Sequence, residues 1–135
     1  MDFTSLIYIE EDSTRVLDEL LKSVNRFSII ELGQINEDYK IESVCAVYAI
    51  LLDDNIEYIG KTKNLRGRFR SHFIKEPSGS HRSQYRNIRL QIDRGKKIEF
   101  SYVEVPKLIY SSIEEGVIIT LRNRNKEPKW NKRSS

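Results

Sequence analysis

Two tyrosines ten residues apart, Tyr48 and Tyr58, followed after ten more by Arg68, are the residues of this 135-residue chain whose types and spacing first suggest chemistry. A phenol with an ordinary pKa near ~10 takes a proton from water only when neighbouring cations pull that pKa down. A planar guanidinium suits an oxyanion. The strings Ala46-Val47-Tyr48 and Tyr58-Ile59-Gly60 flank Asp53-Asp54-Asn55, so a β-hairpin places the tyrosines on adjacent antiparallel strands, where pairing can bring both to one face. Asn64 is of the N-cap type, and a helix begun there brings Arg68 toward the same place. Each residue alone has an ordinary structural reading; the joint pattern is more specific.

The elements that must hold these residues are read from hydropathy spacing. Val44 to Leu52 and Ile56 to Lys61 form the hairpin. Leu65, Phe69 and Phe73 recur at intervals of four on one helix face, with Arg66, Arg68, Arg70 and Lys75 around the rest. A loop at Glu76 to Ser80 leads to a second basic helix, Arg82 to Arg94, which ends near Gly95. Lys97 to Val105 alternates as a third strand, and a helix runs from about Leu108 to Arg122 after Pro106. Before all this, a short strand is expected around Phe3 to Ile9, a helix from a Ser13 cap, and a further apolar stretch at Phe27 to Leu32. The division expected is an accessory or oligomerisation region at 1–43 and a main unit at 44–135 within one compact domain, since a domain takes roughly 100–200 residues.

Composition excludes several classes. With 39% hydrophobic and 32% charged residues, the chain has material for one core and is not expected to be disordered. Its longest apolar run, Val44 to Leu52, is nine residues, far below the ~20 that span a bilayer. No basic segment followed by an apolar one opens the chain, so an intracellular, cytoplasmic protein is expected. The single cysteine, Cys45, permits no internal disulfide and no Cys/His zinc framework. The net charge of +3 hides an uneven distribution. Residues 1–43 sum to −6, whereas residues 61–97 hold twelve Lys/Arg against Glu76 and Asp93, a net +10. Such a segment is the footprint of a phosphate-backbone binder, set against the plainer reading of a solvated surface.

Two adjacent glutamates follow, and helical geometry separates them. Ile109, Ile113, Val117 and Leu121 form a stripe widened by Tyr110 and Ile118. At ~100° per residue Glu114 falls inside that arc and Glu115 opposite it. A carboxylate directed inward needs a counter-charge or a metal. Glu114 is therefore the metal-ligand candidate, with Glu115 as the fallback.

Taken together, Ala46-Val47-Tyr48, Tyr58-Ile59-Gly60, Asn64-Leu65-Arg66-Gly67-Arg68, the glutamates of Ile113-Glu114-Glu115 and Asn131 in Pro128-Lys129-Trp130-Asn131 resemble the GIY-YIG nuclease family over residues 44–131. Ala46 stands where the family has its first glycine. The resemblance implies an α+β fold, a small GIY-YIG nuclease with a central three-stranded antiparallel sheet flanked by helices, and here an N-terminal strand/helix layer. It implies hydrolysis of DNA phosphodiester bonds with one divalent cation, Mg²⁺ first and Mn²⁺ as the alternative. Tyr48 is then the candidate general base, its pKa lowered by Lys61, Arg68 and the metal, and Tyr58 positions the water or a phosphate oxygen. Arg68 stabilises charge on the scissile phosphate. His72, one turn beyond Arg68, is placed to hydrogen-bond the base tyrosine. His81 matches a histidine of the homing-endonuclease branch, and Asn131 anchors the site.

Lys61, Lys63, Arg66, Arg70, Arg82, Arg86, Arg89 and Arg94 are expected to track phosphates of double-stranded DNA, with six more bases in the tail from Arg122 to Arg133. A homo-oligomer, dimer or tetramer, is expected because one site cuts one strand. The reading is a phage DNA-degrading or restriction-type endonuclease in a bacterial cell. The alternatives are a catalytically silent DNA-binding module and a branched-DNA repair nuclease.

Overall fold

The computed structural model describes residues 3–31, 34–35 and 41–131, with the backbone alone at 3–10, 30–31, 34–35 and 80. Helix α1 (Phe3–Leu21) is followed by β1 (Arg26–Ser28) and a small ribbon of β2 (Ile30–Glu31) and β3 (Gln34–Ile35). Then come β4 (Ala46–Leu52), β5 (Asn55–Thr62), α2 (Leu65–Phe69), α3 (Arg82–Asp93), β6 (Ile98–Glu104) and α4 (Tyr110–Asn123). The main sheet is antiparallel in the order β1-β6-β4-β5.

Strand alternation builds two cores. Val47, Ala49 and Leu51 point to one face, where α1 and α4 supply Val16, Leu17, Leu20, Ile113, Val117 and Leu121. Ala46, Tyr48 and Ile50 point to the other, against Leu65, Phe69, Phe73, Ile88 and Phe100. Each fully buried large apolar side chain contributes about 1.5–3 kcal/mol, so helices on both faces tie the central strands β4 and β6 down. The β4–β5 turn is a two-residue hairpin loop with Asp53 at φ 47° and Asp54 at φ 71°, the left-handed pair whose twist suits flanking strands and which Asp tolerates. Asp53 is held further: its N–H donates to the Lys97 carbonyl at 2.9 Å and its carboxylate accepts from Lys97 N at 3.1 Å.

The N-terminal expectations change. Phe3 to Ile9 is helical, and Ser13 is a buried residue within α1. The apolar spacing of Leu6, Ile7, Val16, Leu17 and Leu20 continues one helical period, which the strand-favouring run Ile7-Tyr8-Ile9 masks locally. The stretch from Phe27 becomes β1 and β2, with Leu32 outside the described residues, and β1 adds a fourth strand beside β6, Phe27 opposite Phe100. Residues 11–29 thus share both cores with the rest of the chain. The later helices and strands lie where hydropathy spacing places them.

Candidate active site

Tyr48 stands at the middle of β4 with no exposed surface. Gly60 pairs with it across the hairpin, and Tyr58 pairs with Ile50, so the two tyrosines lie diagonally on one face with ring centroids 6.0 Å apart. Phe100, from β6, backs Tyr48 at 5.5 Å and is itself packed edge-on by Phe69 and Phe73. No chemical motif in the sequence marks Phe100; strand alternation alone places it there.

Two turns of helix bring the polar groups. Asn64 Oδ1 accepts from Gly67 N at 3.1 Å and so caps α2. Residues 70–74 continue it as a single π turn, closed by Lys75 N donating to the Arg70 carbonyl at 2.9 Å. From that turn His72, fully buried, sets Nε2 2.8 Å from the Tyr48 hydroxyl. Its ring lies 5.4 Å from that of Tyr58 and 5.3 Å from that of His81, the residue before α3. Arg68 Nη1 lies 2.6 Å from Nε2 and 2.8 Å from Nδ1 of His81, so it donates to whichever ring nitrogen is bare.

Burial governs the electrostatics. It pushes His72 down to about 3, helped by His81 and by the positive charge of Arg68. It lowers His81 too, again with Arg68. Both imidazoles are therefore neutral at pH 7 and can each accept one hydrogen bond. Tyr48 moves the other way, well above 10, chiefly through burial. Tyr58 and the charge of Glu114 add to the rise, and Arg68 opposes it. The expectation of a depressed tyrosine pKa is thus not met by the chain's own charges. Lys61, named for that task, lies on the other face of β5, opposite Val47. Its Nζ donates to Ser111 Oγ at 2.7 Å and sits 5.2 Å from the Tyr110 ring centroid.

Glu114 is 5% exposed on α4, among Ile113, Val117 and Ile118, whereas Glu115 faces solvent. Its charge reaches Tyr48, so burial and position both favour Glu114 over the fallback. Close approach of α1 fixes α4 here: a side chain on Gly116 would collide with Ser13. Among the described residues no group of three or more His, Cys, Asp or Glu gathers as a metal cage. Glu114 offers a single inward carboxylate from α4, a hard oxygen donor of the kind Mg²⁺ takes when waters and phosphate oxygens complete its shell.

Asn131 touches the backbone of β5 and not the tyrosine rings. Its Oδ1 accepts from Ile59 N at 2.8 Å and its Nδ2 donates to Ile59 O at 2.7 Å, a side-chain imitation of strand pairing that closes the edge between Tyr58 and Gly60. The basic residues separate similarly. Lys63, Arg66, Arg70 and Arg94 are exposed. Arg82 and Arg86 both bind Glu76, at 3.2 and 2.6 Å. Arg89 turns inward, donating to the Phe73 carbonyl at 2.7 Å and stacking over Tyr85, and so pins α3 to the π turn. That bond holds Arg89 inward, whereas Arg66 and Arg70 face solvent. Lys132 and Arg133 lie outside the described residues.

A three-layer fold whose central hairpin carries paired tyrosines against two histidines and their arginine, with a buried glutamate on α4, defines a class. The family model of the GIY-YIG catalytic domain matches residues 44–127, and the chain belongs to that family of nucleases. A solved structure of a glutamate-to-alanine mutant of bacteriophage T4 EndoII is similar to it, with a TM-score of 0.54 and 25% sequence identity over 78% of this chain and 87% of that one. No curated protein matches the chain. Among the described residues, no helix is long and apolar enough to cross a membrane.

Proposed function

We propose that the chain is a metal-dependent DNA endonuclease, of the phage DNA-degrading or restriction kind. The observation that carries this reading is the buried contact of Tyr48 with His72, behind which His81 and Arg68 follow in turn. The similarity to the T4 protein EndoII agrees with it. A silent module would have no use for a buried carboxylate on α4 and a buried phenol on β4, and the cost of burying both argues for retention by chemistry.

In this mechanism Arg68 binds oxygens of the scissile phosphate, giving up His81 as it does so, and stabilises the charge that grows when a water oxygen attacks phosphorus and the bond to the leaving oxygen breaks. Tyr58, half-buried at the mouth of the site, positions the water. Tyr48 is the proton acceptor, its hydroxyl held in line by neutral His72. Its own proton is tightly held at rest, so it acts as a base only once added positive charge has released that proton to solvent and left the phenolate to take one from the water. Glu114 would hold one divalent cation, Mg²⁺ first and Mn²⁺ second, which supplies that positive charge and Lewis acidity toward phosphate oxygens. Asn131 keeps the Tyr58–Gly60 strand in register. Lys63, Arg66, Arg70 and Arg94, with Arg82 and Arg86 once released from Glu76, track the backbone. Cutting both strands takes two protomers or two encounters with the DNA, and a dimer or tetramer supplies the first.

The test is incubation of supercoiled plasmid with the protein at low salt, with Mg²⁺, with Mn²⁺ and with chelator. Nicked or linear product that requires the metal is expected. Intact plasmid under every condition, despite a folded protein, overturns the reading.

A further inference from the structure

A groove of about 240 Å³ opens between the first two turns of α3 and the segment after α4, lined by Ser83, Gln84, Asn87, Lys129 and Trp130. None of the five has a task in the chemistry above. The groove shares its walls with the site: α3 starts at the residue after His81. Trp130 N donates to the Glu57 carbonyl at 2.8 Å, and its neighbour Asn131 holds Ile59, so the two together bracket Tyr58 on the edge strand. The opposite flank of α3 is already committed, through Arg82, Arg86 and Arg89, to Glu76 and Phe73.

The lining is unusual in composition and in what it leaves unused. Gln84 is 7% exposed, and its Oε1 accepts from the Ser83 hydroxyl at 3.2 Å. Asn87 accepts from Gln91 Nε2 at 3.2 Å through Oδ1. In both side chains these bonds engage the carbonyl oxygen, which leaves the amide NH₂ to donate, twice in each case. The Lys129 ammonium is a further donor, and the Trp130 indole offers a flat apolar face. Converging amide donors beside an aromatic plane match the acceptor-bearing edge and the face of a nucleobase; a phosphate would call for guanidinium or several ammonium groups instead.

We infer that this groove is a base-reading subsite, in which Asn87 and Gln84 hydrogen-bond the edge of a nucleobase flanking the scissile phosphate while Trp130 packs against that base. The inference rests on the nuclease reading and makes this groove a source of sequence preference, which the arginines cannot supply because phosphate contacts carry no base identity.

Trp130 is the single tryptophan of the chain, so its emission reports on the groove directly. In chelator, where no cutting occurs, the full chain is titrated with a fluorescein-labelled 20-base-pair duplex while anisotropy of the label and Trp130 emission are followed together. Inorganic polyphosphate is titrated in parallel. Saturable quenching that tracks anisotropy with DNA and is absent with polyphosphate is expected. Binding without quenching, or equal quenching by polyphosphate, overturns the subsite and leaves the nuclease reading standing; absence of binding together with absence of metal-dependent cleavage overturns the nuclease reading itself. Cleavage of a randomised library with Mg²⁺ then compares the wild type with Asn87→Ala. The variant should lose about tenfold base preference at one fixed position from the cut while still cutting. An unchanged position-by-position preference overturns the assignment.

Discussion

The ring of Tyr48 lies across Gly60, its partner on the neighbouring strand, in the space where any side chain at position 60 would stand. The glycine of Tyr58-Ile59-Gly60 is thus the seat of the tyrosine that carries the site. Gly60→Ala forces that ring to move within a closed core, and a cost of about 1–3 kcal/mol in urea unfolding is expected. Cleavage should fall much further than stability does, because the hydroxyl loses its position against His72. A variant as stable and as active as wild type contradicts the placement.

Tyr48→Phe removes only the hydroxyl. Loss of a proton acceptor costs about 10²–10⁴ in rate, so cleavage should drop at least a hundredfold while affinity for DNA in chelator stays the same. The ring still fills its cavity, and a modest destabilisation of about 1–3 kcal/mol is expected because His72 Nε2 is left unpaired in a dry interior. Retention of wild-type cleavage assigns proton transfer elsewhere.

His72 gives the fold a pH dependence of definite sign. Its pKa is near 3 in the folded chain and about 6.5 when unfolded. The unfolded state therefore binds the extra proton first. The stability this group provides is complete above pH 6.5 and drains as pH falls toward 3, by about 1.4 kcal/mol per pH unit. His81, also lowered, acts in the same direction. Denaturant midpoints measured from pH 7 to pH 4 should show the gap between wild type and His72→Gln narrowing as the solution becomes more acid; a constant gap contradicts a buried neutral imidazole.

Arg70 and Arg89 belong to the same basic run but have different surroundings. Arg70 is exposed, while Arg89 bonds the Phe73 carbonyl. In the dependence of log K on log salt for a short duplex, Arg70→Ala should reduce the slope by about one unit. Arg89→Ala should leave the slope unchanged and lower stability by about 1–3 kcal/mol. Equal slopes for the two variants contradict the distinction.

Much of the fold is legible in residue spacing. The Leu65, Phe69, Phe73 stripe, the Asn64 cap and a hairpin turn at Asp53-Asp54-Asn55 are local rules, and the structure follows them, with Asn55 already in β5. A helical wheel separates Glu114 from Glu115, and burial agrees with it. Local rules fail where long-range packing decides. Ile7-Tyr8-Ile9 reads as strand in isolation but lies in α1, whose later turns pack on α4. Residues 26–28 read as part of an accessory layer, yet find a partner some seventy residues later in β6. The direction of Lys61 follows from register, since an odd step along β5 turns it from the tyrosines toward Ser111. The electrostatic balance at Tyr48 is beyond reach from sequence, because burial, which outweighs Arg68, depends on Phe100 and His72 packing on the ring, with Phe69 and Phe73 behind Phe100.

The proposed reaction turns on Glu114 holding the metal on which cutting depends. Wild type and Glu114→Ala are therefore compared on supercoiled plasmid across a Mg²⁺ titration, with duplex binding measured in parallel in chelator. The variant is expected to bind DNA and stay folded, yet to leave the plasmid intact at Mg²⁺ concentrations that saturate the wild type. Cleavage by Glu114→Ala with an unchanged Mg²⁺ midpoint would show that the metal is held elsewhere.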